Sequence, residues 1–229
     1  MIAPSRPGYL RTPIDVGRTP QEQAVAYAAL LDALAVDEKV FVMGASGGGP
    51  SAYAFAALYP ERTMGLIAIE ALSHPEPFEE EMPGFMTNDF TSWLAFELAL
   101  MQDDANLVAM MVPDPANQQR ILTSAEKLNM MKGIMWSMWP PSQRWAGFEN
   151  DDAQFLTMAL PLERISVPVL AVHGTADTNV TFAQSEYARD RIEDFTLHAI
   201  EGADHMMPVT HAEEMGEAIQ HFVIRIAGQ

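Results

Sequence analysis

VFVMGASGGGPSAYAFAALYPERT, residues 40–63, sets an apolar run, Val40–Met43, directly before a six-residue stretch, Gly44–Gly49, made of four glycines, one alanine and Ser46. Ordering so many glycines is entropically expensive, so the turn must do something that larger residues would prevent. Two phosphate-binding readings fail. A Walker-type loop carries lysine after its last glycine, and none follows Gly49; a dinucleotide fingerprint needs glycine at its third position, where Ser46 stands. Gly44-Ala45-Ser46-Gly47-Gly48 instead fits Gly-x-Ser-x-Gly between a strand and a helix. In such an elbow the central serine sits in strained backbone with its Oγ raised above the sheet. The residues two before and two after lie against each other, which predicts that Gly44 and Gly48 must be tiny. The Gly47 amide falls at the helix N-terminus, where the dipole favours donation to an anion.

Outward from the elbow, the chain alternates strands and helices. Thr19-Pro20-Gln21-Glu22 predicts a helix start with Thr19 as N-cap and Glu22 closing a capping box; Val25, Leu30, Leu31 and Leu34 form its expected apolar face. Val40–Met43, Leu66–Ile69, Pro168–Val172 and Phe195–Ile200 read as strands. The first three are apolar without alternation, as expected of strands buried on both faces of a parallel sheet. Helices are expected from just after Ser46 to Tyr59-Pro60, from about Phe182 to Ile192, and from Thr210 to about Ile226, the last with a Thr210/Glu213 capping box. The alternation predicts an α/β fold with a mostly parallel sheet and helices on both faces.

Residues 73–160 interrupt that pattern. They enter through HPEPFEEEMPG and continue as helical sequence, including a Thr123/Glu126 capping box. Ten of the sixteen methionines and all four tryptophans fall there. Such residues either fill a helical core or adapt to an apolar ligand. An insertion after the second strand that rejoins the sheet at Val167 favours a helical lid, with Trp136, Met135 and Trp139 as expected substrate contacts. The core then comprises residues 1–72 and 161–229.

A nucleophilic serine needs a base, and the base an orienting acid, in the chain order Ser, Asp or Glu, His for this turn. His173 and His198 sit within or at the ends of strands and read as structural; His211 and His221 belong to a helix expected on the outside; His74 precedes the acid. His205, in Glu201-Gly202-Ala203-Asp204-His205 after the fourth strand, occupies a loop at the carboxyl end of the sheet, where sites of α/β proteins assemble. Asp177, in HGTADTNV after the third strand, is the expected acid, against a plain turn aspartate capping the next helix. Glu70, ending the second strand, is the alternative acid.

Together SRPGY, TPQEQAVAYAALLDAL, GASGGGPSA, YPER, HGTAD and EGADH resemble the serine-nucleophile branch of the α/β-hydrolase superfamily. The style is that of lidded esterases, proline-iminopeptidase-like enzymes and carbon–carbon bond hydrolases, and the likeness covers both flanks but not the lid. It implies Ser46, Asp177 and His205 as triad and Gly47 as one oxyanion donor. In that family SRPGY follows the fourth strand, so the first three strands and the loop carrying the second oxyanion donor have no counterpart here, and the fold is expected as a truncated version. Tyr9 is the candidate replacement donor. Val40–Met43 becomes an open edge, a template for pairing with another chain, from which a homodimer is expected.

Composition narrows the chemistry. The net charge is −18, with only three lysines, which disfavours nucleic acid, anionic lipid and anionic substrates. No signal peptide or membrane span is expected, and the absence of cysteine fits a reducing, cytoplasmic setting. No metal or organic cofactor is implied, because no ligand spacing such as His-Glu-x-x-His occurs. The expected activity is hydrolysis of small neutral carboxylic esters through an acyl-enzyme. The alternatives are the same triad acting on carbon–carbon or amide bonds, and a non-catalytic binding protein that keeps the elbow only as inherited structure.

Overall fold

The computed structural model describes residues 1–76 and 84–228, so residues 77–83 of the segment entering the insertion lie outside the described residues. Four strands, β1 (Val40–Ala45), β2 (Thr63–Ile69), β3 (Val169–Gly174) and β4 (Phe195–Ile200), form one parallel sheet in the order β1-β2-β3-β4. All four match the sequence expectation to within three residues. Helices α1 (Pro20–Ala33) and α2 (Gly49–Leu58) precede and follow β1. Helices α3 (Asp89–Leu100), α4 (Asp104–Met111), α5 (Pro115–Leu122), α6 (Ala125–Ser137) and α7 (Trp145–Phe155) lie between β2 and β3. Helix α8 (Ala183–Arg189) joins β3 to β4, and a single turn α9 (Met207–Thr210) leads into α10 (Ala212–Ala227).

The pleat divides the core into two layers. Leu66 and Ala68 of β2, with Val169 and Ala171 of β3, face Ala52, Tyr53, Ala56 and Ala57 of α2 and Ala188 of α8. Their alternates Ile67, Ile69, Leu170 and Val172 face Phe222 and Ile226 of α10 and Met207 of α9. Both faces of β2 and β3 are therefore covered, which is why these strands read as continuous apolar runs. Strand β1 departs from that expectation. Among the described residues it pairs only with β2; Phe41 reaches the ring of Phe222, but Met43 on the same side is 55 % exposed.

Helix α1 begins with the anticipated capping box: the Glu22 amide donates to Thr19 Oγ1, and Glu22 Oε2 accepts from the Thr19 amide. Such caps contribute about 1 kcal/mol. Its buried face is only in part the predicted one. Leu31 is buried as expected, but Val25 and Leu34 are exposed, while Ala24 and Ala28 join Leu31 against Ala54 and Phe55 of α2 and buried Gln23 accepts from the Ser51 hydroxyl. Small residues let two helices approach closely, and a purely hydrophobic count overlooks them. The other two predicted caps shift. Ser124, not Thr123, caps α6 by accepting from the Lys127 amide, while the Thr123 hydroxyl donates to the Gln119 carbonyl. Thr210 ends α9, its hydroxyl donating to the Met206 carbonyl, and Glu213 pairs with Lys127 instead of closing a box.

The inserted helices carry a core of their own, with Phe96, Leu107, Val108, Ile121, Met131 and Met135 buried together. That core extends onto Val209 and Met206, immediately after His205. Among the described residues no helix is long and apolar enough to cross a membrane.

Candidate active site

The glycines of the elbow are unequal. A Cβ on Gly44 would stand 2.6 Å from the Ala52 Cβ and 2.8 Å from the Gly48 carbonyl oxygen, so strand and helix close on that point as expected. A Cβ on Gly48 would meet nothing within 4 Å, which corrects the prediction that this position must be tiny. The tight contact falls one residue later, where a Cβ on Gly49 would lie 2.5 Å from that of Ala71. Ser46 itself has φ +49°, a left-handed conformation unusual for a side-chain-bearing residue, held between β1 and a tight turn over Ser46–Gly48.

The loops after β3 and β4 are laid on one another. The Ala176 amide donates to the Ala203 carbonyl, and Gly174 approaches that carbonyl so closely that a Cβ there would stand 2.2 Å from the oxygen. This contact brings His205 to Asp177: Nδ1 lies 2.7 Å from Asp177 Oδ2, and the opposite ring nitrogen, Nε2, lies 3.1 Å from Ser46 Oγ. Ser46 thus joins Asp177 and His205, both more than 100 positions further along the chain, in one hydrogen-bonded line across the ends of β1, β3 and β4. The two oxygens of Asp177 are engaged differently. Oδ1 accepts from the amides of Asn179 and Val180 as a turn aspartate does, while Oδ2 faces the imidazole. Burial pushes the Asp177 carboxyl up. The ring N–H groups of His173 and His205 and the Val180 amide outweigh it, holding the group well below the ordinary carboxylate range. Asp177 is therefore charged at neutral pH and fixes the tautomer in which His205 Nε2 can accept the Ser46 proton.

The remaining histidines sort differently from the sequence reading. His173 is fully buried and satisfied, between Ser185 Oγ at 2.7 Å and the Val180 carbonyl at 2.9 Å, as expected. His198 is not satisfied: its Nε2 is buried without a hydrogen-bond partner, 3.6 Å from Glu214. His211 is buried at the start of α10 and bonds Thr210 Oγ1, rather than lying on an outer helix face, whereas His221 is exposed.

Tyr9 is not free to donate to an oxyanion. Its hydroxyl donates to Asp151 Oδ2 at 2.5 Å and its ring lies against Gly147, while Arg6 makes a bidentate ion pair with the same carboxylate. The Arg6–Tyr9 loop is thereby fastened to α7. Met135 is buried in the core of the inserted helices, Trp136 packs edge-on against Phe96 and Trp139, and the Trp139 indole donates to the Asp89 carbonyl. All three have structural partners within the insertion. Sequence reasoning did not single out Asn117 of α5, which donates to Asp204 Oδ2 at 3.1 Å and to the Gly202 carbonyl at 3.0 Å. It ties the inserted helices to the turn that presents His205, and an asparagine in a polar helix gives no advance sign of that.

Glu70, the alternative acid, is also present at the site, with Oε2 3.8 Å from His205 Nδ1. Glu70, Asp177 and His205 offer donor atoms within 4.8 Å of one another, a spacing a cation could share. A bound ion would have to displace the direct 2.7 Å hydrogen bond between His205 and Asp177.

The sequence profile of the Alpha/beta hydrolase family matches residues 1–218. An uncharacterized hydrolase, YcgS of Bacillus subtilis (strain 168), is 25% identical over 232 residues, covering 97% of this chain and 81% of that protein. An alpha/beta hydrolase fold protein from Nakamurella multipartita superposes with a TM-score of 0.86 at 30% identity, covering 98% of this chain and 82% of its own. A thermophilic esterase from Thermogutta terrifontis superposes with a TM-score of 0.60 at 21% identity, covering 91% and 73%, a likeness of fold. With the elbow, the parallel sheet and the matched profile in agreement, the chain belongs to the α/β-hydrolase family.

Proposed function

We propose that this hydrolase cleaves small neutral carboxylic esters through an acyl-enzyme on Ser46. The observation that carries the reading is the unbroken line Ser46 Oγ–His205–Asp177, at 3.1 and 2.7 Å. Ser46 Oγ attacks the ester carbonyl carbon as its proton passes to His205 Nε2, and Asp177 stabilises the imidazolium that forms. The tetrahedral oxyanion takes a hydrogen bond from the Gly47 amide at the head of α2. Its collapse breaks the carbon–oxygen bond to the alcohol, which leaves with the proton from Nε2. Water then repeats the sequence on the acyl-enzyme, giving its proton to His205 and releasing the acid and Ser46. The strongly acidic surface disfavours anionic substrates by repulsion, hence the neutral ester. The helices of the insertion act as a lid whose own core packs against Met206, beside the base.

A binding protein with an inherited elbow has no need of the base and acid in register with the serine, which weighs against that alternative. The test is hydrolysis of p-nitrophenyl acetate, butyrate and octanoate beside Ser46→Ala. Turnover by the wild type that falls to background in the variant supports the proposal; equal rates in both overturn it.

A further inference from the structure

Glu70 ends β2 with φ +45°, a left-handed conformation unusual for glutamate. It is 3 % exposed. Oε2 stands 3.8 Å from His205 Nδ1, the nitrogen already bonded to Asp177, and Oε1 is buried with no hydrogen-bond partner among the described residues. Strained backbone and a buried, half-satisfied carboxyl are costly features, and the acyl-transfer steps above do not use them. We infer that Glu70 is a positioning residue, a second carboxyl held beside His205 Nδ1 that takes over the imidazole when a neutral residue replaces Asp177. The inference rests on the Ser46–His205–Asp177 reading of the site.

The charges around Glu70 explain why the two carboxyls divide their roles. Asp177 faces it from the loop after β3, Asp204 and His205 from the loop after β4, and the elbow residues 46–49 on the β1 side carry no charge. Two carboxylates this close do not readily ionise together. Asp177 keeps the charge because two backbone amides and the imidazole donate to it. Burial first, then the charges of Asp177 and Asp204, push the Glu70 carboxyl up to about 9, so it is neutral while Asp177 works. Removing the Asp177 charge removes one of those causes, and Glu70 then ionises at lower pH within reach of Nδ1.

The test compares Asp177→Asn with the double variant Asp177→Asn/Glu70→Gln, reading kcat/KM for p-nitrophenyl acetate from pH 6 to 9. The single variant is expected to gain activity with pH through one ionisation and to exceed the double variant at least tenfold at pH 9. Equal residual rates, or parallel pH profiles, overturn the inference. A second measurement needs no turnover. Glu70 has a folded-state pKa above its ordinary 4.5, so its contribution to stability is full below pH 4.5 and is lost as pH rises towards 9. Glu70→Gln, which stays neutral, escapes that loss, so its melting temperature gains on the wild type between pH 5 and 9. A constant difference contradicts the buried neutral carboxyl and with it the inference. Failure of the serine reading is told apart by wild type and Ser46→Ala hydrolysing the ester equally, a result the melting comparison does not depend on.

Discussion

Alanine at Gly48 and at Gly49 separates what the motif says from what the packing says. The pattern Gly-x-Ser-x-Gly names Gly48, yet a methyl group there meets nothing within 4 Å, and the backbone at φ −83°, ψ −14° is already helical. Alanine in such a place stabilises by about 0.4–1 kcal/mol, because the unfolded chain loses freedom. Gly49, at φ −55°, ψ −50°, gains the same amount from the unfolded state, but its methyl would stand 2.5 Å from the Ala71 Cβ, 3.0 Å from the Ala71 Cα and 3.1 Å from the Leu72 nitrogen. Carbon atoms pack at about 3.5–4.0 Å, and backbone cannot rotate aside. Relief requires α2 to move off β2 at its first turn, an overpacking penalty of about 1–3 kcal/mol. The unfolded-state gain cancels between the variants, so Gly49→Ala should lie about 1–3 kcal/mol below Gly48→Ala. Urea unfolding followed by circular dichroism reads this as midpoints separated by on the order of 1 M. Gly49→Ala should also lose ester turnover, since the displaced turn carries Ser46 and the Gly47 amide. A Gly48→Ala protein as unstable as Gly49→Ala would refute the reasoning.

Two further outcomes concern Tyr9 and the edge of β1. Tyr9→Phe should keep ester turnover within a few-fold, because its hydroxyl is engaged by Asp151, and should lose about 1–3 kcal/mol of stability in urea melts as that buried carboxylate loses a donor; a collapse of kcat with stability intact would restore Tyr9 as an oxyanion donor. The unpaired edge of β1 with exposed Met43 predicts self-association through that strand, so sedimentation equilibrium should give twice the chain mass and Met43→Lys should shift it towards one. A monomer at all concentrations would dismiss the dimer.

The sheet and the three residues of the hydrogen-bonded line were legible because each leaves a local mark. Strands β2 and β3 are covered on both faces, so apart from Thr63 and the buried His173 the residues in them are small or apolar. Ser46, Asp177 and His205 each sit in a short glycine-containing turn at the carboxyl end of a strand, and parallel topology brings such turns together. What escaped the sequence depends on contacts between distant segments. Gly49 is constrained by Ala71, Gly174 by Ala203, and Tyr9 by Asp151, 142 positions away. The apolar face of α1 was misread because Ala24 and Ala28 contribute through closeness rather than size. Thr123 and Thr210 failed as caps because a neighbouring residue took the position and their hydroxyls bonded back into the preceding turn. Glu70 was visible as a carboxyl at a strand end, but its coexistence with Asp177 around a single imidazole nitrogen required coordinates.

The central claim is that Ser46 is the activated nucleophile, and the most direct measurement is intact mass after exposure to a fluorophosphonate. The account predicts one phosphonyl adduct on the wild type, mapped to the peptide containing Ser46, and none on Ser46→Ala. An unlabelled wild type, or equal labelling of the variant, would contradict it.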